Sequence, residues 1–444
     1  MTLPLDPLSA VAGAAARSVL RVALLGAGTV GSAVVRGFLE HADRLAVAGG
    51  PRLELAGVAT LDPDRARALG VPDDLITDAP AHLVASRDVD IVVELMGGLD
   101  PALTLVRAAL EDGKPVVTAN KELIARDGPE LLQIAATAGV DLLFEASVAG
   151  GIPLIRPLRE SLAGDRIRRV LGIVNGTTNF ILTRMTEDGT TFADALAEAQ
   201  RLGYAEADPT ADVEGHDAAA KAAIIATIAF GSPVHPDDVY REGITQVTDD
   251  DIRSARSLGY VVKLLAVAEE IDGDVAVRVH PAMVPVQHPL ASVRDSFNAV
   301  FIEADAVGEL MLYGRGAGGN PTASAVLGDL VDASRNLVAD ARGATIGELV
   351  AKPIRPMADV ESPFYVLLEA ADQPGVLAAI ATQFGNHGVS IKSMEQRGLG
   401  AEARLVFITH RAREADLAAT LDALRDVAVV NRVGSVIRVV GEED

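Results

Sequence analysis

The sequence contains no cysteine among its 444 residues. Disulfide bonds, thiolate catalysis and cysteine-ligated metal centres are therefore excluded. It also lacks a run of about 18 or more apolar residues, so no transmembrane helix is expected. Residues 1–17 are rich in alanine but contain Asp6 and lack the basic start of a signal peptide. They predict a loose tail on a cytoplasmic protein that does not associate with membranes.

Positive charge is scarce. Lysine and arginine number 39 against 62 acidic residues, for a net charge of −23. This balance argues against a protein that binds nucleic acid, because such proteins usually present a basic face. Aromatic residues amount to only 3%, but the hydrophobic fraction of 49% is enough for ordinary cores. The length predicts about two to four domains.

Lysine is especially rare, with six copies, and one of them, Lys221, lies in an apolar helix predicted for residues 218–230. Asp217 precedes it by four residues, so the two side chains can meet on one helix face. This setting indicates chemistry that needs an ammonium proton, because guanidinium releases its proton too reluctantly. The alternative is a helix start with acids near its positive end. The preceding segment is rich in carboxylates: Glu206, Asp208, Asp212, Glu214 and Asp217.

A glycine motif follows the first apolar segment. Residues 19–25 are typical of a buried strand, and GAGTVG comes directly after them. In such a motif the glycines permit a tight turn, close approach of a pyrophosphate, and close helix packing. The motif predicts a dinucleotide site, with a plain glycine-rich turn as the alternative. The predicted cofactor-binding residues here are Gly26, Gly28, Thr29, Val30 and Gly31.

Further strands are predicted at residues 53–60, 91–95, 116–118 and 141–145. Their alternation with helices predicts a doubly wound parallel sheet of the Rossmann type. The end of the second strand is where ribose specificity is read. It offers Asp62, typical of NAD, and Arg65, typical of NADP. We predict NADP, with Arg65 as a contact, and NAD stays open.

Two strand ends in this domain carry chemically useful groups, because ligands bind at the carboxyl ends of such strands. One delivers Lys121, which could equally be a lysine at the surface start of a helix. The other is Glu145, followed by the glycine-rich stretch at residues 148–153. Its carboxylate and backbone carbonyls could bind a monovalent cation, since hard cations take oxygen ligands. A purely structural turn is the alternative.

The middle of the chain predicts a strand-rich substrate domain. Strands are expected at residues 168–174, 275–283, 300–306 and 308–313, and a helix at residues 192–203. The loop at residues 175–179, NGTTN, suits either helix capping or a polar substrate. In the glycine-rich residues 314–321, Asn320 is predicted to cap a helix over residues 322–333, with Pro321 in its first position. This stretch could approach a cofactor or could be a flexible connector.

The C-terminal part follows a proline-rich segment, residues 353–363, that predicts a linker. Strands and helices then alternate as βαββαβ, with DQPGVL opening the first helix. This pattern resembles the ACT domain, a regulatory module that binds amino acids, commonly between paired copies. The resemblance implies an effector site at Asp372, Gly375, Asn386 and Ile391. An oligomerisation domain without a ligand is the alternative.

Five motifs together resemble homoserine dehydrogenase from about residue 19 to the C-terminus. They are GAGTVG, VVTANKELIA, FEASVAGGIP, GIVNGTTNFILT and LGYAEADPTADVEGHDAAAKAAI. The resemblance implies reduction of L-aspartate 4-semialdehyde to L-homoserine with NAD(P)H, in threonine and methionine biosynthesis. It implies L-threonine as a feedback inhibitor and a homodimer or homotetramer. The alternatives are a catalytically silent amino-acid sensor and a dehydrogenase acting on another semialdehyde.

Site residues carry over from this family by position. Lys221 resembles its proton donor, and Lys121 the lysine that faces nicotinamide and substrate. The resemblance implies that Asp212 is catalytic, that Glu206 and Asp217 bind the substrate, and that these acids organise the lysine. Gly203 and Gly318 join the predicted cofactor contacts. The implied cation site, of the sodium type, comprises Glu145, Val148, Gly150 and Ile152.

The expected fold class is therefore α/β, with three parts in order. They are a Rossmann domain, an α+β substrate and dimerisation domain, and a ferredoxin-like ACT domain. The predicted segments are a tail (1–18), the Rossmann domain (19–150), the catalytic domain (151–320), a returning helix (321–352), a linker (353–362) and the ACT domain (363–444).

Overall fold

The computed structural model describes residues 19–45, 51–344, 346–397 and 403–441. The predicted tail, residues 1–18, lies outside the described residues. The strands are β1 Val19–Leu25, β2 Arg52–Ala59, β3 Ile76–Thr77, β4 Ile91–Glu94, β5 Val116–Thr118, β6 Leu142–Leu143, β7 Ile167–Ile173, β8 Tyr240–Arg241, β9 Tyr260–Ile271, β10 Asp274–Pro285, β11 Phe297–Ala304, β12 Gly308–Arg315, β13 Glu361–Ser362, β14 Phe364–Ala370, β15 Ile391–Arg397, β16 Ala403–Thr409, β17 Ala412–Arg413 and β18 Val430–Val439.

The helices differ widely in length. In chain order they are α1 Thr29–Leu45, α2 Pro63–Ala68, α3 Pro80–Val84, α4 Ala102–Glu111, α5 Lys121–Ala138, α6 Gly176–Glu187, α7 Phe192–Arg201, α8 Thr210–Val213, α9 His216–Phe230, α10 Asp249–Ser257, α11 Gly319–Val338, α12 Val376–Asn386 and α13 Glu414–Arg425. Along the described ranges, every helix is too short or too polar to cross a lipid bilayer.

One compact unit contains the described parts of Met1–Thr118, Leu131–Leu143 and Val326–Gly343. Its six strands are all parallel and follow the order β3-β2-β1-β4-β5-β6. This is the strand order of dinucleotide-binding folds, and it confirms the predicted Rossmann sheet. The last strand is shorter than predicted, because Glu145 lies in a 3₁₀ turn instead of the strand.

The C-terminal half of α11 belongs to this first unit. Asn336 donates a hydrogen bond to the carboxylate of Asp141 at 2.7 Å. The backbone amide of Gly343 donates to the same carboxylate at 3.0 Å. Asp141 therefore ties the returning chain to the last strand of the sheet. The helix begins at Gly319, so the prediction that Asn320 is its N-cap is wrong.

The second unit contains Ala119–Glu130, Phe144–Ala325 and Ala344–Asp444, within the residues described. Its main sheet has the order β12-β11-β7-β9-β10-β18-β14-β16-β15. Neighbouring strands in this order are antiparallel except β10 and β18, which pair in parallel at Ala282–Arg438 and Met283–Val439. Off this order, β8 also pairs in parallel with β10. This short parallel pairing joins the substrate part and the C-terminal part into one sheet. The long strand β9 has no counterpart in the sequence-based prediction.

The C-terminal part has the predicted order of elements. It runs β14, α12, β15, β16, α13, β18, with the small pair β13 and β17 beside it. Phe364, Phe384 and Phe407 are among the buried residues of its own core. The proline-rich segment before it is held at two points, by a bridge between Val275 and Ile354 and by β13.

Candidate active site

Two of the six lysines share one carboxylate. Lys221 and Asp217 lie one turn apart on α9, and the Lys221 Nζ donates to Asp217 Oδ2 at 2.7 Å. Lys121, the first residue of α5, lies 3.0 Å from the other oxygen, Asp217 Oδ1. The Lys221 Nζ also donates to the carbonyl of Val174 at 2.8 Å. Asp217 is therefore the centre of a cation–anion–cation cluster in the second unit.

Asn175 connects this cluster to the acidic segment. It caps α6, because its Oδ1 accepts a hydrogen bond from the backbone amide of Thr178 at 2.9 Å. Its Nδ2 donates to Asp212 Oδ1 at 2.7 Å and to Asp217 Oδ2 at 2.8 Å. One amide group thus orients two of the predicted acids. The NGTTN loop is the only sequence signal for it, and Asn175 is absent from the predicted site residues.

The charges in this cluster shift the pKa values of Asp217 and Lys121. Burial disfavours ionised Asp217, but the two neighbouring ammonium groups outweigh that effect and hold its pKa well below the usual range. Burial also acts against the charge of Lys121, whose pKa is nevertheless raised by the attraction of Asp217. Asp217 is therefore an ionised acceptor that both lysines contact.

The Lys221 ammonium has more N–H donors than the two hydrogen bonds that it makes within the described residues. An ammonium has three N–H donors, and two of those on Lys221 bond to Asp217 and Val174. Its side chain is only 12% exposed, whereas that of Lys121 is 39% exposed. The third N–H of Lys221 can bond to an acceptor on a bound molecule. A carbonyl oxygen placed there would meet a positive charge and a proton donor in one group.

Glu206 and Gly203 lie outside the cluster. Both are exposed, in the loop that follows α7. This loop is tied to α6 by the Thr177 hydroxyl, which donates to the carbonyl of Tyr204 at 2.7 Å. Of the three predicted acids, only Asp212 and Asp217 are brought together. The Glu206 carboxylate makes no ion pair within the described part of the chain.

The predicted cation site has an irregular backbone, with φ of 55° at both Ala149 and Gly150. The Glu145 carboxylate, however, already accepts hydrogen bonds from backbone amides. Its Oε1 accepts from Ile155 and its Oε2 from Arg156, each at 2.8 Å. Throughout the described residues, no three His, Asp or Glu side chains are grouped to hold a metal. Cation binding here would rest mainly on the carbonyls of Val148, Gly150 and Ile152.

The glycine motif of the first unit has the geometry of a phosphate-binding turn. Gly26 has φ of 101°, and a Cβ there would lie 2.7 Å from the carbonyl oxygen of Leu95. A Cβ on Gly31 would lie 2.0 Å from the carbonyl oxygen of Gly26, so the helix packs directly on the turn. Gly28 has nothing within 4 Å of its Cβ position. That open space at the start of α1, where Thr29 and Val30 also lie, fits the approach of a pyrophosphate.

Asp62, Arg65 and Arg67, which follow β2 where ribose specificity is read, make different contacts. The Asp62 carboxylate caps α2 by accepting from the backbone amide of Arg65 at 3.0 Å. Arg67 is paired with Asp64 at 2.6 Å and Asp73 at 2.7 Å. The side chain of Arg65 is exposed. Of the two arginines, Arg65 is therefore the better placed to take a 2′-phosphate.

Glu94 is a buried acid of the same unit that sequence reasoning missed. It ends β4, and it accepts a hydrogen bond from the Thr118 hydroxyl at the end of β5 at 2.6 Å. It also accepts from the backbone amide of Met96 at 2.8 Å. Glu94 thereby organises the carboxyl ends of two central strands, where such folds bind their ligands.

The four predicted effector residues fall at two ends of α12. Asp372 and Gly375 lie in the turn before the helix, where Gln396 donates to Asp372 at 3.2 Å. Asn386 is the last residue of the helix, and Ile391 begins β15. The helix length separates the two pairs by about 16 Å. One copy of this domain does not bring all four residues into a single site.

A third lysine, Lys263, is buried. We therefore expect the stability of the protein to depend on pH. The Lys263 Nζ donates to Asn179 Oδ1 at 3.0 Å, and burial lowers its pKa to about 8. A lysine in the unfolded chain has a pKa of about 10.4. The folded chain therefore binds this proton more weakly than the unfolded chain, and stability rises with pH between those two values.

We expect the free energy of unfolding of the wild type, relative to Lys263→Met, to rise by about 2 kcal/mol between about pH 7.5 and about pH 9.5. Urea unfolding of both proteins at the two pH values measures this. Lys263→Met also leaves the hydrogen-bond acceptors of Lys263 unpaired. This lowers the free energy of unfolding of the variant by the same amount at both pH values, so it does not affect the change with pH. A difference independent of pH would contradict the shifted pKa.

Comparisons with known proteins agree with this geometry. Residues 26–145 match the family model described as the NAD binding domain of homoserine dehydrogenase, and residues 153–331 match homoserine dehydrogenase. Residues 364–429 match the ACT domain. Homoserine dehydrogenase of Mycobacterium tuberculosis is 53% identical over 95% of this chain and 97% of that protein.

Solved structures give the same picture. A crystal structure of a homoserine dehydrogenase from Thiobacillus denitrificans superposes with a TM-score of 0.90 at 42% identity, over 95% of this chain and 98% of that one. A hyperthermophilic archaeal homoserine dehydrogenase in complex with NADPH superposes with a TM-score of 0.61 at 31% identity, over 71% of this chain and 98% of that one.

Proposed function

The chain belongs to the homoserine dehydrogenase family and is an NAD(P)-dependent oxidoreductase, and we propose that it reduces L-aspartate 4-semialdehyde to L-homoserine with Lys221 as the proton donor. The observation that carries this proposal is the pair of lysines held by one ionised carboxylate. Bound NAD(P)H supplies a hydride to the aldehyde carbon. The rest of the chemistry belongs to side chains of this chain.

Lys221 completes the reduction. Negative charge grows on the aldehyde oxygen as its carbon is reduced, and a preorganised ammonium stabilises that charge. The third N–H of Lys221 then protonates the oxygen to form the hydroxyl of the product. Lys121, which is more exposed, lies across Asp217 from Lys221, and we propose that it faces the nicotinamide and the substrate. In the oxidation of L-homoserine, the neutral Lys221 amine takes the same proton back.

The amino-acid end of the substrate needs groups of both signs. Its ammonium requires carboxylates, for which Asp212 is half-buried at the edge of the cluster. We propose that Glu206, which is exposed in the loop after α7, also binds this ammonium. The substrate carboxylate would bind Lys121 or backbone amides. We also propose that a monovalent cation, sodium, binds the carbonyls near Gly150 and stiffens this turn.

Cofactor preference is proposed to depend on Arg65. We expect Arg65→Ser to raise KM for NADPH by about tenfold, since it removes a charged partner of the 2′-phosphate. KM for NADH should change little, because NADH lacks that phosphate. Steady-state kinetics with both cofactors measures the effect. Arg67→Ser is the matched control, since Arg67 is already paired with Asp64 and Asp73. Equal losses with both cofactors would refute the assignment.

Regulation is proposed to reside in the C-terminal domain. We propose L-threonine as a feedback inhibitor bound between two copies of this domain, because one copy holds the predicted residues at opposite ends of α12. This requires at least a homodimer, or a homotetramer. The proposed setting is the cytoplasm, in threonine and methionine biosynthesis. Inhibition requires that threonine bind the inactive state more tightly than the active state.

One assay tests these points together. NADPH oxidation is measured with L-aspartate 4-semialdehyde, with NADH in parallel, and with added L-threonine. Rapid turnover suppressed by threonine supports both the catalytic and the regulatory proposal. Turnover that is insensitive to threonine keeps the enzyme and removes that effector. If other semialdehydes turn over faster, the substrate is different; if folded protein turns over none, a silent amino-acid sensor replaces the proposal.

A further inference from the structure

Asn298 has a buried side-chain amide for which the described residues provide no hydrogen-bond partner. It lies on β11 and is 1% exposed. Both its Nδ2 and its Oδ1 are buried and unpaired within the described structure. Buried amides are nearly always bonded, since a buried polar group without a partner is destabilising. An Asn side chain left with neither its donor nor its acceptor paired calls for a state of the protein in which they are used.

The surroundings of Asn298 connect it to the candidate active site. A Cβ on Gly316 would lie 1.9 Å from Asn298 Nδ2, so the side chain packs directly on the backbone of that glycine. On its other side, a Cβ on Gly176 would lie 3.6 Å from Asn298 Oδ1. Gly176 is the first residue of α6 and follows Asn175, which orients Asp212 and Asp217.

The segment that covers Asn298, from the end of β12 to the residue before α11 (residues 314–318), is also in contact with the proposed cation turn. The backbone amide of Gly151 donates to the carbonyl of Arg315 at 3.0 Å. A Cβ on Gly150 would lie 2.4 Å from the carbonyl oxygen of Gly316. Residues 314–318, called here the glycine loop, thus lie between that turn and Asn298. Gly318, with φ of 118°, completes the loop just before α11.

We propose that Asn298 is a positioning residue for the glycine loop in cofactor binding. In the present arrangement the Asn298 amide faces the loop without bonding to it. A small displacement of the loop onto a bound cofactor would bring backbone groups of Gly316 and its neighbours into hydrogen bonds with Asn298. The unpaired amide destabilises the ligand-free arrangement, and the bonds formed on binding favour the bound one. This inference rests on the proposed function, specifically on Gly318 as a cofactor contact.

Replacing Asn298 by leucine, which has a similarly branched side chain of larger volume, separates this role from an ordinary structural one. Asn298→Leu removes two unpaired polar atoms, so Tm of the ligand-free protein should stay the same or rise. The same variant should bind NADPH about tenfold more weakly, because it forfeits the bonds of the bound state. KM for NADPH should rise accordingly, while kcat changes less than about threefold. The rise of Tm on adding NADPH should shrink.

Asn179→Leu is the matched control. Asn179 is also a buried amide, but its Nδ2 donates to the carbonyls of Asp295 and Phe297, and its Oδ1 accepts from Lys263. Its replacement should lower Tm of the ligand-free protein, since it leaves these groups unpaired. Asn298→Ser keeps one donor and one acceptor in a smaller volume, and it should bind NADPH with an affinity between those of the wild type and Asn298→Leu. This second variant shows whether a weaker affinity of Asn298→Leu is caused by poor packing of the leucine.

Two results would overturn the proposal. One is a lower ligand-free Tm for Asn298→Leu together with unchanged NADPH affinity, which is the signature of a purely structural amide. The other is unchanged NADPH affinity in both Asn298 variants, whatever their stability. Binding is measured by the fluorescence of NADPH itself and does not depend on turnover. A failure of the proposed reaction appears instead in the wild type, as absence of aldehyde-dependent NADPH oxidation.

Discussion

Lys221→Ala is expected to lower kcat for aldehyde reduction by about 10²-fold or more, the usual contribution of a positioned general acid. The substitution removes the proton donor and the charge that stabilises the developing alkoxide. NADPH affinity should be nearly unchanged, because Lys221 is assigned to the substrate oxygen. Single-turnover and steady-state rates with saturating cofactor measure the loss.

Lys221→Arg is the informative control. It keeps a positive charge near Asp217 but offers a guanidinium that holds its proton far more tightly than an ammonium. We therefore expect Lys221→Arg to be slow as well, although its charge is retained. Near-normal turnover in the alanine variant would remove Lys221 from the mechanism. A slow alanine variant with a fast arginine variant would make its role electrostatic only.

Asp217→Asn is expected to destabilise the protein by roughly 3 kcal/mol, the lower end of the range for removing one partner of a buried ion pair. The variant leaves Lys221, 12% exposed, without its counter-charge. The lower end applies because Lys121 is 39% exposed and can turn toward water. Turnover should fall strongly too, since both lysines lose the acceptor that orients them. Urea unfolding and the aldehyde assay measure the two effects.

The double variant Asp217→Asn with Lys221→Met tests the physical reason. Removing the buried ammonium together with the carboxylate should recover much of the lost stability, because no charge is then left unpaired. The double variant should therefore regain stability but remain inactive in the aldehyde assay. If the double variant is as unstable as the sum of the two single variants, the ion pair is not what couples these residues.

Local sequence signals were sufficient for the nucleotide-binding unit. Residues 19–25 form β1 as predicted, and the glycine motif leads into α1. Each feature there depends on neighbours in the chain: an apolar run, a tight turn and a helix start. The same holds for the pair of Asp217 and Lys221, whose spacing of one helix turn is enough to bring them together.

Errors and omissions occurred where local signals are ambiguous. The apolar run of β9 gives no periodicity that separates a buried strand from a buried helix, and it was left out of the prediction. Asn320 has the residue type of an N-cap, but α11 begins at Gly319, two residues before the predicted first position at Pro321, since the Thr322 amide donates to the carbonyl of Gly318. The glycines that precede Asn320 are compatible with several helix starts.

The sequence by itself indicated the class of the dinucleotide-binding unit, the βαββαβ order of the C-terminal part and the pairing within α9, because apolar runs, glycine motifs and helix-turn spacing are patterns of residues close together in the chain. Only the tertiary structure decided that Lys121 joins Asp217, that Asn175 orients two acids, and that Asn298 lies beneath the glycine loop with no side-chain partner among the described residues. These contacts join residues far apart in the chain. No local periodicity encodes them, because they arise only when helices and strands pack against one another.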